Sequence, residues 1–141
     1  MEPEIDYRAA FKKFPGATAL LSSDLTIVDV CDDYVEAAGR PAEELVGGNI
    51  LELFPHNPRD PDDTGQRDLR ASLERVLASG ERDVMPLTRY DVEEPSKRGL
   101  FAERYWAIVN TAVTAGGHVS MIVHRAEEMT HLIHESRKIN C

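Results

Sequence analysis

Short segments of alternating or β-branched apolar residues lie toward the two ends of the chain. Five segments show this pattern: 18–21, 26–30, 84–94, 100–115 and 118–127. Such patterns are typical of half-buried strands. Turn-forming residues at 22–24 separate the first two segments, and Gly116-Gly117 separates the last two. The pattern therefore predicts an early hairpin and a late group of three strands.

The middle of the chain and its two ends have helical periodicity instead. The clearest helix is predicted over 65–79, where the apolar residues share one face and Gly80 follows as a stop signal. That face carries Leu69, Leu73, Val76 and Leu77. Further helices are predicted over 34–39, 41–46 and 49–54, with amphipathic helices at the ends over 4–14 and 127–140.

The order of these elements indicates an α+β fold. Two strands come first, four helices follow, three strands close the domain, and one helix flanks it at each end. This order favours a single antiparallel sheet with helices packed on one face. We divide the chain into an N-terminal flanking helix over 1–14, a central domain over 15–127 and a C-terminal helix over 128–141.

Composition and charge narrow the classes of partner. The 141 residues fit one domain, and 16 Lys and Arg against 25 Asp and Glu give a net charge of −9. Because phosphate backbones and anionic lipids need an excess of cations, we expect no contact with nucleic acid or membrane by this segment. Its two cysteines, Cys31 and Cys141, are too few for a disulfide framework or a cysteine metal site. The charged N-terminus and the short apolar runs favour a cytoplasmic location.

Three motifs in the expected order resemble the PAS family. ELVGGNILELFP at 44–55 resembles the segment that leads into the middle of a PAS domain. TIVDVCDDYVEAAGR at 26–40 resembles its strand-to-helix stretch, with Cys31 and Asp32 as departures. The segment 103–130 resembles the two closing strands and the junction that follows them, here Glu128, Met129 and Thr130. The match covers residues 15–130 and looks most like PAS domains that head bacterial kinases, phosphatases and transcription regulators.

The resemblance implies a fold and a function. The implied fold is a five-stranded antiparallel sheet around a pocket, and family members are often homodimers. The implied function is sensory: a small ligand in the pocket changes the packing of the terminal helix. That helix signals, through the junction at 128–130, to an effector such as a histidine kinase in the same chain or in a partner protein.

Comparison with flavin-binding relatives implies which side chains line the pocket. It places Arg89, Tyr105, Val109, Thr111 and His124 on the inward face of the late strands, with Leu73 on the central helix. By the same comparison, Trp106, Ile108 and Asn110 lie on the outer face. The apolar members of that outer face, with Val123, need cover from the N-terminal helix or from a second subunit.

An inward arginine and an inward histidine each need a partner. Arg89 and His124 would be costly to bury alone, so they should meet a carboxylate or an anionic ligand. Glu103 shares the predicted inward face with Tyr105 and offers the internal carboxylate. Both alternatives stay open at the level of sequence.

The sequence does not identify a cofactor. Flavin photosensors of this family need a cysteine after the E-L-[IV]-G motif, and Ile50 takes its place beside Asn49, so we expect no flavin adduct. Haem-binding members use a histidine on the central helix, and 65–79 contains none; His56 lies in the loop before it. His131 and His134 alone are too few for a zinc site.

Two hypotheses of different class follow. The leading one is a ligand-binding sensory module with no catalytic residue. The alternative is a ligand-free interaction or dimerisation module whose pocket is filled by its own side chains. An enzyme ranks third, because no serine stands in a Gly-x-Ser-x-Gly elbow and Cys31 ends an apolar strand.

Overall fold

The sheet predicted from the two ends of the chain forms in the computed structural model, which describes residues 3–94, 96–97 and 99–139. Its strands are β1 (Thr18–Ser22), β2 (Ile27–Val30), β3 (Asp83–Val84), β4 (Thr88–Arg89), β7 (Tyr105–Ala115) and β8 (His118–Glu128). The short strands β5 (Val92–Glu93) and β6 (Phe101–Ala102) form a separate ladder. The main sheet has the order β2-β1-β8-β7-β3, with β4 also on β7, and every pairing among the described residues is antiparallel.

Strands β3 and β4 together fill one edge position of the sheet. Asp83 lies opposite Asn110 and Thr88 lies opposite Trp106, so the register shifts by one residue between the two pairings. Pro86 stands in this interval, and a proline cannot donate to a sheet ladder. The sheet therefore has five strand positions, which confirms the predicted five-stranded antiparallel sheet.

The helices are α1 (Tyr7–Lys12), α2 (Asp32–Ala38), α3 (Ala42–Leu45), α4 (Ile50–Leu53), α5 (Gly65–Ser79) and α6 (Thr130–Ile139). The prediction for α5 is confirmed at both ends, and Gly80 adopts the left-handed conformation expected of a C-terminal glycine. Helix α2 begins earlier than predicted because Cys31 takes the N-cap position. Asp32 and Asp33 lie in the first turn of α2, where the helix dipole favours them.

The core lies between the sheet and the helices. Leu21, Ile27 and Ile122 from the sheet and Leu45 and Leu73 from the helices are fully buried. Each such side chain stabilises the fold by about 2 kcal/mol through loss of apolar surface from water. Helix α1 contributes no buried residue. The division of the chain at 14/15 and 127/128 stays a prediction.

Within the described ranges, each helix falls short of the length and apolar character needed to cross a membrane.

Candidate functional site

A cavity lies between the centre of the sheet and helices α2, α4 and α5. The sheet side is formed by Trp106, Ile108, His124 and Ala126. The helices and the residue after α4 supply Tyr34, Ala37, Ala38, Ile50, Phe54 and Leu69, and the segment from β4 to β5 supplies Tyr90 and Val92. The volume of the cavity is about 40 Å³. Because one buried water needs about 10–15 Å³ of cavity volume, the cavity has room for roughly three waters or one small organic molecule.

The register of β7 with β8 decides which side chains face this cavity. His124 lies opposite Asn110, and Ala126 lies opposite Ile108. Directly opposed residues of an antiparallel pair share a face of the sheet. Because His124 and Ala126 face inward, Asn110, Ile108 and Trp106 face inward with them, and each of these five side chains is buried.

The predicted inward face of β7 is therefore wrong. Tyr105, Val109 and Thr111 are half-buried on the opposite face of the strand and do not line the cavity. The prediction that Trp106, Ile108 and Asn110 lie outside is wrong for the same reason, so Trp106 and Ile108 need no cover from a second subunit. The inward orientation predicted for His124 is confirmed. Whether any of these residues binds a ligand stays a prediction.

Arg89 and Leu73 also lie away from the cavity wall. Leu73 is fully buried in the core, one helical turn from the lining residue Leu69. Arg89 is half-buried and ion-paired, with its Nη2 at 2.6 Å from Asp60 Oδ2 and 2.9 Å from Asp91 Oδ2. Arg89 therefore meets carboxylates of the protein itself, which was one of the two alternatives predicted for it. These carboxylates belong to Asp60 and Asp91 and not to Glu103. Glu103 instead accepts a hydrogen bond from the Tyr105 hydroxyl at 2.5 Å.

Asp91 fastens the proline-rich loop before α5 to the sheet. Its side chain is 1% exposed and accepts hydrogen bonds from Arg89 and from Nδ2 of Asn57. Burial alone would raise the pKa of Asp91, but these hydrogen bonds and the guanidinium charge outweigh it and lower the pKa. Asp91 therefore stays ionised. Together with Arg89 and Asn57 it stabilises the attachment of the loop to the sheet.

A chain of polar side chains runs from the cavity wall to the surface. His124 Nδ1 lies 2.7 Å from Asn110 Oδ1, and Asn110 Nδ2 donates to Ser72 Oγ at 2.8 Å. Ser72 Oγ donates in turn to Asp83 Oδ2 at 2.5 Å, and Arg75 donates to both oxygens of Asp83. Sequence analysis missed this chain. Its signal was Ser72, a polar residue on the otherwise apolar stripe of α5.

His124 is neutral at physiological pH. Burial lowers its pKa from 6.5 to about 4, and the ring of Tyr34 lies edge-on to it with a centroid distance of 5.9 Å. Burial likewise raises the pKa of Tyr34 and of Tyr90, so both phenols stay protonated. The cavity wall is therefore uncharged.

The junction at Glu128, Met129 and Thr130 lies where β8 ends and α6 begins. The Met129 N–H donates to the Tyr105 carbonyl at 2.7 Å, and Thr130 Oγ1 accepts from the Tyr105 N–H at 3.0 Å. Farther along α6, the Arg137 guanidinium carbon lies 5.6 Å from the centre of the Tyr105 ring. Tyr105 thus holds the start of α6 through its backbone and a later turn through its side chain. The signalling role of the junction stays a prediction.

The residue at the start of α4 does not fit a flavin adduct. Ile50 is fully buried at the start of α4, where an adduct-forming cysteine would be needed. His56 is exposed in its loop, and no cluster of three metal-ligating side chains occurs in the described part of the chain. Cys31 is buried and donates its thiol to the Gly16 carbonyl, whereas Cys141 lies outside the described residues.

Comparison with known proteins identifies the family. The family model described as the PAS fold matches residues 11–130. No curated protein sequence matches the chain significantly. Among solved structures, the chain is similar to the LOV protein of Rhodobacter sphaeroides, with a TM-score of 0.65 and 13% identity over 86% of this chain. The chain spans 64% of that protein, which is less than two thirds of its length.

Two further structures share the fold over nearly their whole length. One is the PAS domain of nitrogen regulation protein NR(II) from Vibrio parahaemolyticus, with a TM-score of 0.62, 14% identity and coverage of 89% of this chain and 99% of that one. The other is the PAS domain of a LuxR-family transcriptional regulator from Burkholderia thailandensis in complex with ethanol. Its TM-score is 0.60, with 15% identity and coverage of 89% and 98%. At these identities the structures support the fold alone. Because the family model covers most of the chain, the chain belongs to the PAS family, whose members serve as sensory domains of signalling proteins.

Proposed function

We propose that this PAS domain is a non-catalytic sensor that binds a small ligand in the cavity and signals through α6 to an effector. The effector is a histidine kinase or another regulator, in the same chain or in a partner protein, in a bacterial cytoplasm. The observation that carries the proposal is the position of Trp106 and Tyr105. These neighbours on β7 face opposite sides of the sheet, one into the cavity and one against α6.

The contacts of Trp106 explain how the cavity could act on the helix. Its indole lines the cavity and its Nε1 donates to the Tyr90 carbonyl at 2.8 Å. A ligand that displaces this ring strains the start of β7, where the N–H and carbonyl of Tyr105 bind Thr130 and Met129 at the start of α6. Filling the cavity therefore biases the equilibrium between two packings of α6, provided that the ligand prefers one of them.

The outer face of the sheet supports a homodimer as part of the proposal. Val28 and Val113 are 47% and 41% exposed, and Val109, Met121 and Val123 on the central strands are only half-buried. An apolar sheet face of this kind is a common interaction surface. Its composition differs from the predicted one, because Trp106 and Ile108 lie inside.

The small volume of the cavity supports the competing function as well. A cavity of about 40 Å³ has room for only a few waters, so it also fits a domain whose own side chains fill most of the pocket. In that case the domain is a ligand-free interaction module, and only its outer face and α6 engage partners.

A matched pair of variants separates the two functions. Ala126→Val adds two methyl groups to the cavity wall, whereas Ala107→Val adds them to the half-buried opposite face of the same sheet. Both proteins and the wild type are screened against small metabolites by thermal shift and examined by native mass spectrometry after purification from the host. The sensor function predicts ligands that stabilise the wild type and A107V but not A126V.

The signalling step is tested in the same proteins by hydrogen exchange. A ligand that stabilises the domain should change amide exchange in α6, and Thr130→Val, which removes the acceptor for the Tyr105 N–H, should reduce that change. A stabilising ligand that leaves exchange in α6 unaltered would contradict transmission through this helix. If no compound is retained and none stabilises the wild type, the interaction module is the better account.

A further inference from the structure

The chain of hydrogen bonds behind the cavity has a fixed direction. The guanidinium of Arg75 can only donate and the carboxylate of Asp83 can only accept. Ser72 has one hydroxyl hydrogen, and its 2.5 Å contact with the ionised Asp83 requires that this hydrogen point to the carboxylate. The Ser72 oxygen is then left to accept, so the neighbouring Asn110 must present its amide nitrogen to it, at 2.8 Å.

This direction fixes the proton on His124. Since the amide nitrogen of Asn110 faces Ser72, its carbonyl oxygen faces His124 Nδ1 at 2.7 Å, and only a protonated Nδ1 can donate to it. A neutral imidazole carries one N–H, so Nε2 has a lone pair and no hydrogen. The opposite amide orientation would set two acceptors, the Asn110 carbonyl oxygen and the Ser72 oxygen, against each other.

His124 Nε2 is an unused acceptor at the cavity. No hydrogen bond joins it to any group in the described ranges, although the residue is only 2% exposed. Fully buried side-chain nitrogens among those residues all have partners, so the unpaired Nε2 keeps some accessible surface, and the ring that carries it lines the cavity.

The other polar groups of the wall do not compete for this role. Trp106 Nε1 donates to the Tyr90 carbonyl, and the Tyr90 hydroxyl donates to the Phe54 carbonyl. The Tyr34 hydroxyl can donate or accept, so it does not select between ligands. Among the lining residues, His124 Nε2 is thus the group that distinguishes ligands that can donate a hydrogen bond from those that cannot, because it can only accept one.

The wall also excludes charge. Its twelve lining residues include no acidic or basic side chain other than the neutral His124. An anion placed against Nε2 would meet a lone pair instead of a donor, and burying it unpaired in apolar surroundings is costly. The anionic ligand considered for His124 on sequence grounds is therefore disfavoured by the geometry.

We infer that the cavity selects a small, neutral, mostly apolar ligand with one O–H or N–H group that donates to His124 Nε2. Arg75, Asp83, Ser72 and Asn110 act as positioning residues, because they hold the imidazole in the tautomer that accepts. The inference rests on the proposed ligand-binding function and adds the chemical class of the ligand. An alcohol of a few carbon atoms matches the volume, the apolar wall and the single acceptor.

The tautomer is tested directly on the whole chain by long-range ¹H–¹⁵N NMR correlation at pH 7. We expect the His124 spectrum to report a protonated Nδ1 and an unprotonated Nε2. The opposite tautomer would overturn the inference without any ligand being added.

Ligand class is tested with probes of matched shape. 2-Propanol and acetone have the same heavy-atom skeleton, but only the alcohol donates, and propionate adds a negative charge. Titration followed by amide NMR shifts around the cavity should give a Kd about tenfold lower for 2-propanol than for acetone, since one hydrogen bond to a buried acceptor is gained. Propionate should shift none of these resonances.

A pair of serine variants on α5 provides the control. Ser72→Ala breaks the chain and frees the Asn110 amide to turn, so the preference for 2-propanol should fall by about tenfold. Ser79→Ala removes an exposed hydroxyl of the same helix and should leave the preference unchanged. Equal affinity for alcohol and ketone in the wild type overturns the inference and leaves the sensor function standing. If no probe and no screened metabolite perturbs the cavity, both fail together.

Discussion

The buried imidazole of His124 makes the stability of the domain depend on pH in a defined window. Its pKa is about 4 in the folded protein and 6.5 in the unfolded chain. Between these values the unfolded state binds more protons than the folded state, so the free energy of unfolding falls as the pH falls. Above pH 6.5 the full stability is present, and below about pH 4 this contribution is lost.

The size of the effect follows from the difference between the two pKa values. Each pH unit in the window lowers the free energy of unfolding by ~1.4 kcal/mol, so the whole window from 6.5 to about 4 corresponds to about 3 kcal/mol. Small domains have a total stability of about 5–15 kcal/mol, so a loss of this size is a large fraction of the free energy of unfolding.

Urea unfolding followed by circular dichroism from pH 4 to 8, at constant ionic strength, measures this dependence. His124→Gln should be less stable than the wild type at pH 7 but should lose about 3 kcal/mol less between pH 6.5 and 4. His118→Gln, at the exposed first residue of β8, should behave like the wild type. If the His124 variant keeps the wild-type slope in this window, the imidazole is not buried in its neutral form and the reasoning is refuted.

Three further substitutions test the packing and the ties around the site by chemical denaturation. Gly65→Ala should destabilise by about 3 kcal/mol, because a Cβ there would lie 2.5 Å from the ring of Tyr90; no loss would mean that α5 does not approach so closely. Asn49→Ala should cost about 1 kcal/mol through loss of the cap of α4, and an unchanged midpoint would argue against that cap. Asp91→Ala should cost about 2 kcal/mol and loosen the 55–64 loop, whereas Asp62→Ala, at an exposed position, should not.

Local signals decided how well each element could be predicted. Helix α5 has fifteen residues, a regular apolar face and a glycine stop, so its bounds were predicted correctly. Helix α1 was predicted from Ile5 and Phe14 as well, but both are exposed and the helix is shorter, because none of its residues is buried. The third strand segment was predicted as continuous, and the structure divides it around Pro86, where the ladder lacks a donor.

The orientation of β7 could not be predicted in this way. Its two faces are both largely apolar, with Trp106 and Ile108 on one and Val109 and Val113 on the other. Alternation alone therefore does not say which face is buried. The register with β8 determines the buried face, because it sets Asn110 opposite the inward-facing His124. Register is a property of the folded sheet and cannot be read from one strand.

Trp106 and Tyr105 face opposite sides of the sheet, and this arrangement constrains any signal that starts in the cavity. Trp106 and Tyr105 are joined by one peptide bond, and the backbone of Tyr105 carries both hydrogen bonds that hold the start of α6. A change in the Trp106 ring that rotates this peptide must therefore lengthen at least one of those bonds or move α6 with it. A ligand that fills the cavity without touching Trp106 lacks this route, even if it binds tightly, because affinity that is equal in both packings shifts no equilibrium. Contact with the indole, more than affinity, is thus the property that should separate activating ligands from silent ones.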